Sequence, residues 1–352
     1  MNKDISELQI SPTDNILTAM KQMDRCRKKL LIVMSKCKYL GLISIGDIQR
    51  ALINGHELTE EISLFMRNDY IVADPNYTIE RVKSLMLKLR TEFMPVVNDL
   101  GDLVEVHLWD ILFGEKKQEP SSKFNLPIVI MAGGIGSRLK PLTNVLPKPL
   151  IPINDKTLLE EIFDRFNHHG CDSFFISVNY KADLIKYYLE QLNLPFNINY
   201  FIEDKPLGTA GSLSLLKGNI AETFFVSNCD ILIDQDYSEV LKYHKENNNE
   251  ITIIAALKNY SLPYGTIESG TNGKLLRLIE KPDVTFKVNS GMYILEPHVL
   301  DEIPPNSFFH ITQLIDKINL RNGKIGVFPV SERSWLDIGN WDEYLINREK
   351  NN

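Results

Sequence analysis

The residues best suited to chemistry begin after an apolar run at 128–131, where Gly133, Gly134 and Gly136 lead into Ser137 and Arg138. Glycines at such a point let the backbone approach an anion and turn its N–H groups toward it. Arg138 suits a polyphosphate, because a guanidinium can fork onto two oxygens at once. Lys148 follows between Pro147 and Pro149. With the backbone restricted on both sides, its ammonium is carried on a rigid stem as a point charge for one phosphoryl group. Together these residues describe a cradle for a phosphate-rich ligand.

Two commoner phosphate loops do not fit. A dinucleotide fingerprint needs Gly-x-Gly-x-x-Gly, but the sixth position from Gly134 is Leu139, and no Gly-x-x-x-x-Gly-Lys-Ser/Thr segment is present. Further along, Asp230 follows an apolar run at 224–226 and Asp337 precedes Gly339. An aspartate after a buried strand stands at the carboxyl edge of the sheet, where open α/β folds bind ligands. Alone, either aspartate reads as an ordinary turn residue; in order after the glycine loop, they make a sparse pair of carboxylates. Glu280-Lys281-Pro282 closes an alternating stretch and reads either as a solvated charge pair or as a binding pair. Asn289 and Gly291 lie on an expected strand, where a glycine suggests close approach of a ligand. His168-His169 and Phe308-Phe-His310 have no partner at ligand spacing and read as structural.

The segment Met131-Ala-Gly-Gly-Ile-Gly-Ser-Arg-Leu-Lys-Pro-Leu-Thr-Asn-Val-Leu-Pro-Lys-Pro149 resembles the signature of the nucleoside-triphosphate:sugar-1-phosphate nucleotidyltransferases. The resemblance continues through Glu203-Asp-Lys-Pro-Leu-Gly-Thr-Ala-Gly211, Ser227-Asn-Cys-Asp230, Tyr264-Gly265, Glu280-Lys-Pro282, Asn289-Ser-Gly291 and Trp335-Leu-Asp-Ile-Gly339. It implies a Rossmann-like, mixed-sheet α/β domain, similar to the GT-A glycosyltransferase fold. It also implies nucleotide contacts from Ala132, Gly133, Gly134, Gly136, Ser137, Gly208 and Thr209, and sugar-phosphate contacts from Gly265, Glu280, Lys281, Asn289 and Gly291. Asp230 and Asp337 become the metal ligands, and two carboxylates suit Mg²⁺ when phosphates and water complete its shell. Cys229 stands where this family usually has glycine, and reads as a packed thiol with no redox role.

The implied reaction is in-line attack by a sugar-1-phosphate oxygen on the α-phosphorus of a nucleoside triphosphate, with pyrophosphate released. The attacking phosphate is already ionised, so catalysis rests on holding two anions together and neutralising charge. Arg138, Lys148, Asp230 and Asp337 are the catalytic set, and Lys148→Ala is expected to lose turnover with the fold intact. The 207–211 loop looks more like guanylyltransferases of the GDP-mannose pyrophosphorylase type than like thymidylyltransferases, so GTP is the expected nucleotide and a GDP-sugar the product; a base-specific alternative such as a thymidylyltransferase stays open. Asp234-Gln-Asp236 is formally an Asp-x-Asp metal motif, which keeps a glycosyltransferase as the competing enzyme. An idle nucleotide sensor is the reading outside enzymes.

These residues need an α/β scaffold. Apolar runs at 128–131, 174–178 and 224–226 alternate with helical spacing at 158–166 and 182–192, the pattern of a sheet covered on both faces. Runs at 251–257, 275–279, 288–294 and 325–330 add later strands.

Residues 1–113 are different in kind. A shift of about 63 residues lays Pro12 on Pro75, Ile16 on Ile79, Met23 on Met86, Val33 on Val96, Leu40 on Leu103 and Asp47 on Asp110. Each copy, at about 1–60 and 64–113, reads as helix, two short strands and a second helix. A unit so small cannot bury its own sheet, so the copies are expected to pack as a pair. They resemble tandem cystathionine β-synthase-type (CBS) domains, whose Gly-x-x-Ser/Thr-x-x-Asp segment holds a ribose. Gly41-Leu-Ile-Ser44-Ile-Gly-Asp47 matches; in the second copy His107 replaces the hydroxyl before Asp110. The resemblance implies an adenosine nucleotide at Ser44, Asp47 and Asp110, with one intact cleft and one degenerate. The plainer alternative is a dimerisation module whose aspartates cap helices.

A polar 114–124 stretch reads as the linker, with the catalytic domain over 125–352. The 352 residues carry a formal charge of -7, with 43% hydrophobic and 24% charged residues, which offers no long-range attraction to nucleic acid or an anionic membrane. Four cysteines without a Cys-x-x-Cys pair read as reduced thiols. The absence of an apolar N-terminal run predicts no signal peptide. The sequence therefore predicts a soluble, cytoplasmic homo-oligomer without a further domain after Asp337.

Overall fold

The computed structural model describes residues 5–114, 120–339 and 341; residues 115–119 of the expected linker lie outside the described residues. The chain divides into two units, Met1–Glu119 and Pro120–Asn352. The first contains β1 (Gln9–Ile10), α1 (Ile16–Cys26), β2 (Leu30–Ser35), β3 (Lys38–Ser44) and α2 (Ile45–Ile53), then α3 (Ile79–Leu89), β4 (Phe93–Val97), β5 (Leu103–Leu108) and α4 (Trp109–Phe113).

The repeat holds down to single residues. Asn15 and Thr78 start α1 and α3 by accepting the N–H groups of Thr18 and Arg81. Both helices stop on a left-handed arginine, Arg27 (φ 57°) and Arg90 (φ 51°), whose N–H returns to Met23 O and Met86 O. Both hairpins bulge at the corresponding step, Val33/Met34 and Val96/Val97. The parallel edge pairing repeats as well, Ile10 with Val33 and Ala73 with Val96. Leu30, Ile32 and Leu42 share one buried cluster with Phe93, Val106 and Leu108, so neither copy closes its core alone.

The second unit opens with β6 (Ile128–Met131), α5 (Leu142–Val145) and a small hairpin of β7 (Pro152–Ile153) and β8 (Lys156–Thr157). Then come α6 (Leu158–His168), β9 (Ser173–Val178), α7 (Ala182–Gln191), β10 (Asn197–Ile202), the short α8 (Gly208–Gly211), β11 (Phe224–Asn228), β12 (Ile231–Ile233) and α9 (Tyr237–Glu246). β13 (Ile251–Ser261), β14 (Thr266–Ser269), β15 (Leu275–Ile279), β16 (Asp283–Leu295), α10 (Ile311–Leu320), β17 (Ile325–Ser331) and β18 (Trp335–Asp337) complete it.

Seven strands form one mixed sheet in the order β10-β9-β6-β11-β16-β13-β17. The first four run parallel, and β16 is antiparallel to both β11 and β13. From β6 the chain steps outward to β9 and β10, then returns to β6's other side as β11. Strand order reverses there, which leaves a crevice at the carboxyl ends of β6 and β11. Val129, Val226, Phe224 and Leu295 bury one face of these central strands with Leu314 and Ile318 of α10. Thr157 starts α6 with a full capping box to Glu160. Among the described residues no helix is long and apolar enough to cross a membrane.

Candidate active site

The glycine loop leaves the carboxyl end of β6. Gly136 adopts φ +68°, and a Cβ there would lie 2.9 Å from Thr143 Cγ2 and 3.2 Å from Lys148 Cβ. The Thr143 hydroxyl donates to Gly136 O at 2.9 Å, so Gly136 folds the loop directly onto the base of Lys148. Gly133 is also tightly placed, since a Cβ would meet Glu203 Oε1 at 2.8 Å. Gly134 differs: nothing lies within 4 Å of its would-be Cβ, so packing does not demand glycine there. Ala132 is buried and its N–H donates to Ser177 O at 3.2 Å. It holds the loop to the sheet and has no backbone donor left for a ligand. Ser137 and Arg138 form an exposed turn, Ser137–Leu139.

Lys148 starts a second short turn, with Leu150 N–H donating to Pro147 O at 2.9 Å. Its side chain is buried and its ammonium pairs with Asp230, also buried, just beyond β11. Lys148→Ala would therefore strand a buried carboxylate, which adds a cost in stability to the expected loss of turnover. Asp337 ends β18, which pairs with β12 so that Asp337 lies opposite Ile231. Ile338 N–H donates to Asp230 O at 2.9 Å. A Cβ on Gly339 would sit 2.7 Å from Asp337 Oδ1 and 3.2 Å from Arg138 Nη2. The fold thus gathers Lys148 with Asp230 and Arg138 with Asp337. Among the described residues no three His, Cys, Asp or Glu side chains gather to hold a metal by themselves. Two carboxylates beside two phosphate-seeking cations fit a hard cation that takes its other ligands from phosphates and water.

The loop at 203–211 is held from two sides. Glu203 is buried; it accepts the Ser177 hydroxyl and, at 3.1 Å, the Leu207 N–H. It thereby ties the glycine loop, β9 and the 203–211 loop together, a role the sequence reading did not give it. Gly208 has φ +81° and a Cβ there would lie 2.7 Å from Phe309 O. Ala210 and Gly211 N–H groups donate to that same oxygen at 3.0 and 2.9 Å. Thr209 Oγ1 accepts the Ile311 N–H at 3.0 Å. Glycine at 208 thus answers to the Phe309 backbone, and Phe308-Phe-His310 is structural in a specific sense: it clasps this loop.

On the sugar side, Gly265 and Glu280 meet, since a Cβ on Gly265 would lie 2.8 Å from Glu280 Oε2. Both are exposed, at the base of the β14–β15 ribbon, and Lys281 beside them takes φ 45°. Gly291 departs from expectation. It has φ +86°, and the group approaching it is the Asn228 side chain, 2.6 Å from a would-be Cβ. The glycine is explained by that neighbour, not by a ligand. Asn289 Oδ1 accepts the Gly291 N–H at 3.1 Å.

Asp236 does not serve an Asp-x-Asp metal site. It caps α9, accepting Ser238 N–H at 3.0 Å and Ser121 N–H at 2.7 Å, and it pairs with His169 at 3.1 Å. Burial alone would raise its pKa, but hydrogen bonds from His169, Ser121 and Ser238 hold the carboxyl well below the usual carboxylate range. Cys229 is buried, and burial followed by the Asp230 charge pushes its thiol up to about 12. It carries no reactive thiolate.

In the first unit, Ser44 and Asp47 form a capping box at the start of α2. The Asp47 carboxylate is saturated: it accepts Ser44 N–H at 2.8 Å, Ser44 O–H at 2.6 Å and Tyr70 O–H at 3.2 Å, and pairs with Arg50 at 2.5 Å and Arg67 at 2.9 Å. Asp110 in the second copy is half exposed and pairs with buried Lys28 at 2.9 Å.

A glycine loop thus stands at a strand-order switch, with Lys148 paired to Asp230 and with Arg138 and Asp337 both close to Gly339, in a mixed-sheet α/β unit. The chain belongs to the nucleotidyl transferase family, whose model matches residues 128–351. A CBS domain model matches residues 60–106. Among curated proteins it is 33% identical over 224 residues to a mannose-1-phosphate guanylyltransferase catalytic subunit beta of Dictyostelium discoideum, covering 62% of each chain. It is 34% identical over 233 residues to a mannose-1-phosphate guanyltransferase of Yarrowia lipolytica, covering 62% of this chain and 61% of that one. The chain thus spans about 62% of the length of such relatives. The crystal structure of HddC from Yersinia pseudotuberculosis matches with TM-score 0.50 and 27% identity, covering 64% of this chain and all of that one, and the same protein has been solved with GMP-PN.

Proposed function

We propose that the chain is a sugar-1-phosphate guanylyltransferase, joining GTP and a hexose- or aminohexose-1-phosphate into a GDP-sugar with release of pyrophosphate. The observation that carries this reading is the convergence of Lys148 with Asp230, and Arg138 with Asp337, at the carboxyl ends of β6 and β11. The names of the guanylyltransferase relatives and the GMP-PN complex of HddC support the choice of base.

In this reading the glycine loop and Arg138 hold the triphosphate, and Lys148 turns from Asp230 onto the α-phosphoryl oxygens. Gly208 and Thr209 shape the nucleoside pocket; Glu280 and Lys281, with Gly265 against Glu280 and with Asn289, receive the sugar phosphate. Mg²⁺, held by Asp230 and Asp337, supplies neutralisation of phosphoryl charge. The first unit is read as a tandem CBS pair that seats a regulatory adenosine nucleotide at Ser44 and Asp47, with the Asp110 copy degenerate. The protein is further read as a cytoplasmic homo-oligomer. The test is a panel of each nucleoside triphosphate against several hexose-1-phosphates, scoring pyrophosphate with and without AMP. Pyrophosphate from GTP with one sugar phosphate is expected; preference for dTTP would move the protein to the thymidylyltransferases, and no release from any pair would sink the reading.

A further inference from the structure

We propose that Lys181, with Tyr180 beside it, is a positioning residue of the phosphate site: it grips the end of α5 and so fixes the arm between the glycine loop and Lys148. The inference rests on the guanylyltransferase reading of that site and adds to it a residue from outside the Met131–Pro149 segment.

Lysine suits neither demand of its position. Lys181 takes φ 54°, in the left-handed region that favours glycine or asparagine, and it stands at the N-cap of α7 without a side-chain cap bond. Serine, threonine, aspartate or asparagine would start that helix better. What lysine adds is reach. Its ammonium donates to Asn144 O at 2.6 Å and to Val145 O at 2.7 Å, and the Tyr180 hydroxyl donates to Thr143 O at 3.3 Å. The same ammonium lies 5.3 Å from the Tyr180 ring centroid, within cation–π range.

These three carbonyls need donors from outside α5. The helix ends at Val145, and Pro147 and Pro149 bring no N–H to the positions that would serve Thr143 O and Val145 O. The proline pair that stiffens the stem of Lys148 thus leaves the end of α5 open, and the turn after β9 closes it. α5 in turn braces the phosphate site. Thr143 Oγ1 donates to Gly136 O at 2.9 Å, and Gly136 packs against Thr143 and the base of Lys148. Asn179, one residue before Tyr180, donates to Glu203 O at 2.5 Å. Three successive residues at the carboxyl end of β9 therefore fasten both loops of the proposed nucleotide site. Lys181 spends its ammonium on carbonyls, so it acts through Gly136 and Lys148 and not on a phosphate.

Lys181→Asn, Lys181→Met and Lys181→Arg in the full chain test this. Asparagine accepts the left-handed φ and can cap α7, so Lys181→Asn should melt at or above the wild-type temperature. Its side chain is too short to reach α5. In Lys181→Asn and Lys181→Met, hydrogen exchange should quicken at the Asn144 and Leu146 amides of α5. It should also quicken beyond α5, at Leu139 and Ile151, which donate to Gly136 O and Lys148 O. Faster exchange confined to α5, or none, would overturn the inference whether or not the protein turns over GTP. With GTP and the sugar phosphate that the wild type accepts, both variants should lose about 10- to 100-fold in kcat/KM for GTP. The KM for the sugar phosphate should stay unchanged, since Glu280 and Lys281 lie on other elements, and Lys181→Arg should regain most of the loss. Undiminished kcat/KM in Lys181→Asn would overturn the inference as well. No pyrophosphate from the wild type would sink the guanylyltransferase reading alone and leave the exchange pattern to decide on Lys181.

Discussion

Lys148 and Asp230, 82 residues apart in sequence, close on each other as a buried ion pair at the carboxyl ends of neighbouring strands. Each is a binding group for something else in the proposed reaction, a phosphoryl oxygen and a metal. They satisfy one another, which keeps two desolvated charges compensated. Breaking such a pair from one side is costly. Lys148→Ala should lower kcat by about 10²–10³ and also destabilise the second unit by about 3–5 kcal/mol. Lys148→Met combined with Asp230→Asn should regain most of that stability in urea unfolding, with turnover still lost. If the double variant were as unstable as Lys148→Ala, the pair would not be the source of the cost.

The glycines of the loop separate by what surrounds them. Gly136→Ala forces a Cβ into Thr143 and Lys148 at a left-handed φ, so it should cost about 1–3 kcal/mol and disturb Lys148. Gly134→Ala meets open space and should leave stability unchanged while raising KM for the triphosphate, because the Cβ intrudes only on a bound ligand. Equal thermal melting but unchanged KM in Gly134→Ala would take Gly134 out of the nucleotide site.

Glu203 is a positioning residue. Glu203→Ala leaves the Leu207 N–H and the Ser177 hydroxyl without their buried acceptor, at about 1–3 kcal/mol for each group. The expected signature is a raised KM for the nucleotide with a smaller change in kcat, since the 203–211 loop and the glycine loop lose their shared support while Lys148 and Asp230 keep each other. Glu203→Gln keeps one acceptor and should recover part of the KM. A loss confined to kcat would place Glu203 in the chemistry instead.

Much of this site was legible in the sequence because its residues are constrained by local pattern. Gly133, Gly134, Gly136, Arg138 and Lys148 fall in one continuous segment, and the central strands 128–131 and 224–228 open on apolar runs and lie two residues before Gly133 and Asp230. The repeat was legible for the same reason, as Pro12 and Pro75, Ile16 and Ile79, and Met23 and Met86 recur at one offset, although the side-chain cap of α2 at Ser44 has no counterpart on α4. What was hidden depends on contacts between distant segments. Glu203 looks like an ordinary charged loop residue until Ser177 and Leu207 close on it. Gly291 reads as a ligand contact until Asn228 takes the space. β10 at the sheet edge alternates only weakly, with Asn197 and Ile202 exposed and Phe201 its one buried residue. β12 and β18 have only three residues each, too few to carry a period.

Thiol reactivity should follow burial. Cys37 is exposed, while Cys171 and Cys229 are buried with thiols pushed up by burial to about 11 and about 12. Native protein treated with iodoacetamide should be modified at Cys37 first, with Cys171 and Cys229 labelled only after denaturation. Rapid native labelling of Cys229, read by peptide mass spectrometry, would show that the Asp230 segment opens and that the thiol is not inert.

His244 makes the stability of the second unit depend on pH. Its Nδ1 lies 2.8 Å from Thr252 Oγ1 and its Nε2 3.1 Å from Glu296 Oε1. Asn249 donates to the same Thr252 oxygen at 3.1 Å, so the hydroxyl can pass its own proton to Nδ1 while Nε2–H donates to Glu296. That arrangement suits a neutral ring, and burial lowers the His244 pKa despite the opposing pull of Glu296. A lowered histidine pKa means that, below about 6.5, the unfolded chain binds a proton that the folded chain refuses. The stabilising contribution is present above that pH and is lost as pH falls toward the folded-state value, with a slope of at most about 1.4 kcal/mol per pH unit. Urea unfolding from pH 7.5 to 5.5 should show this slope in the wild type and a shallower one in His244→Gln. Parallel pH profiles for the two proteins would mean that His244 titrates alike in the folded and unfolded states.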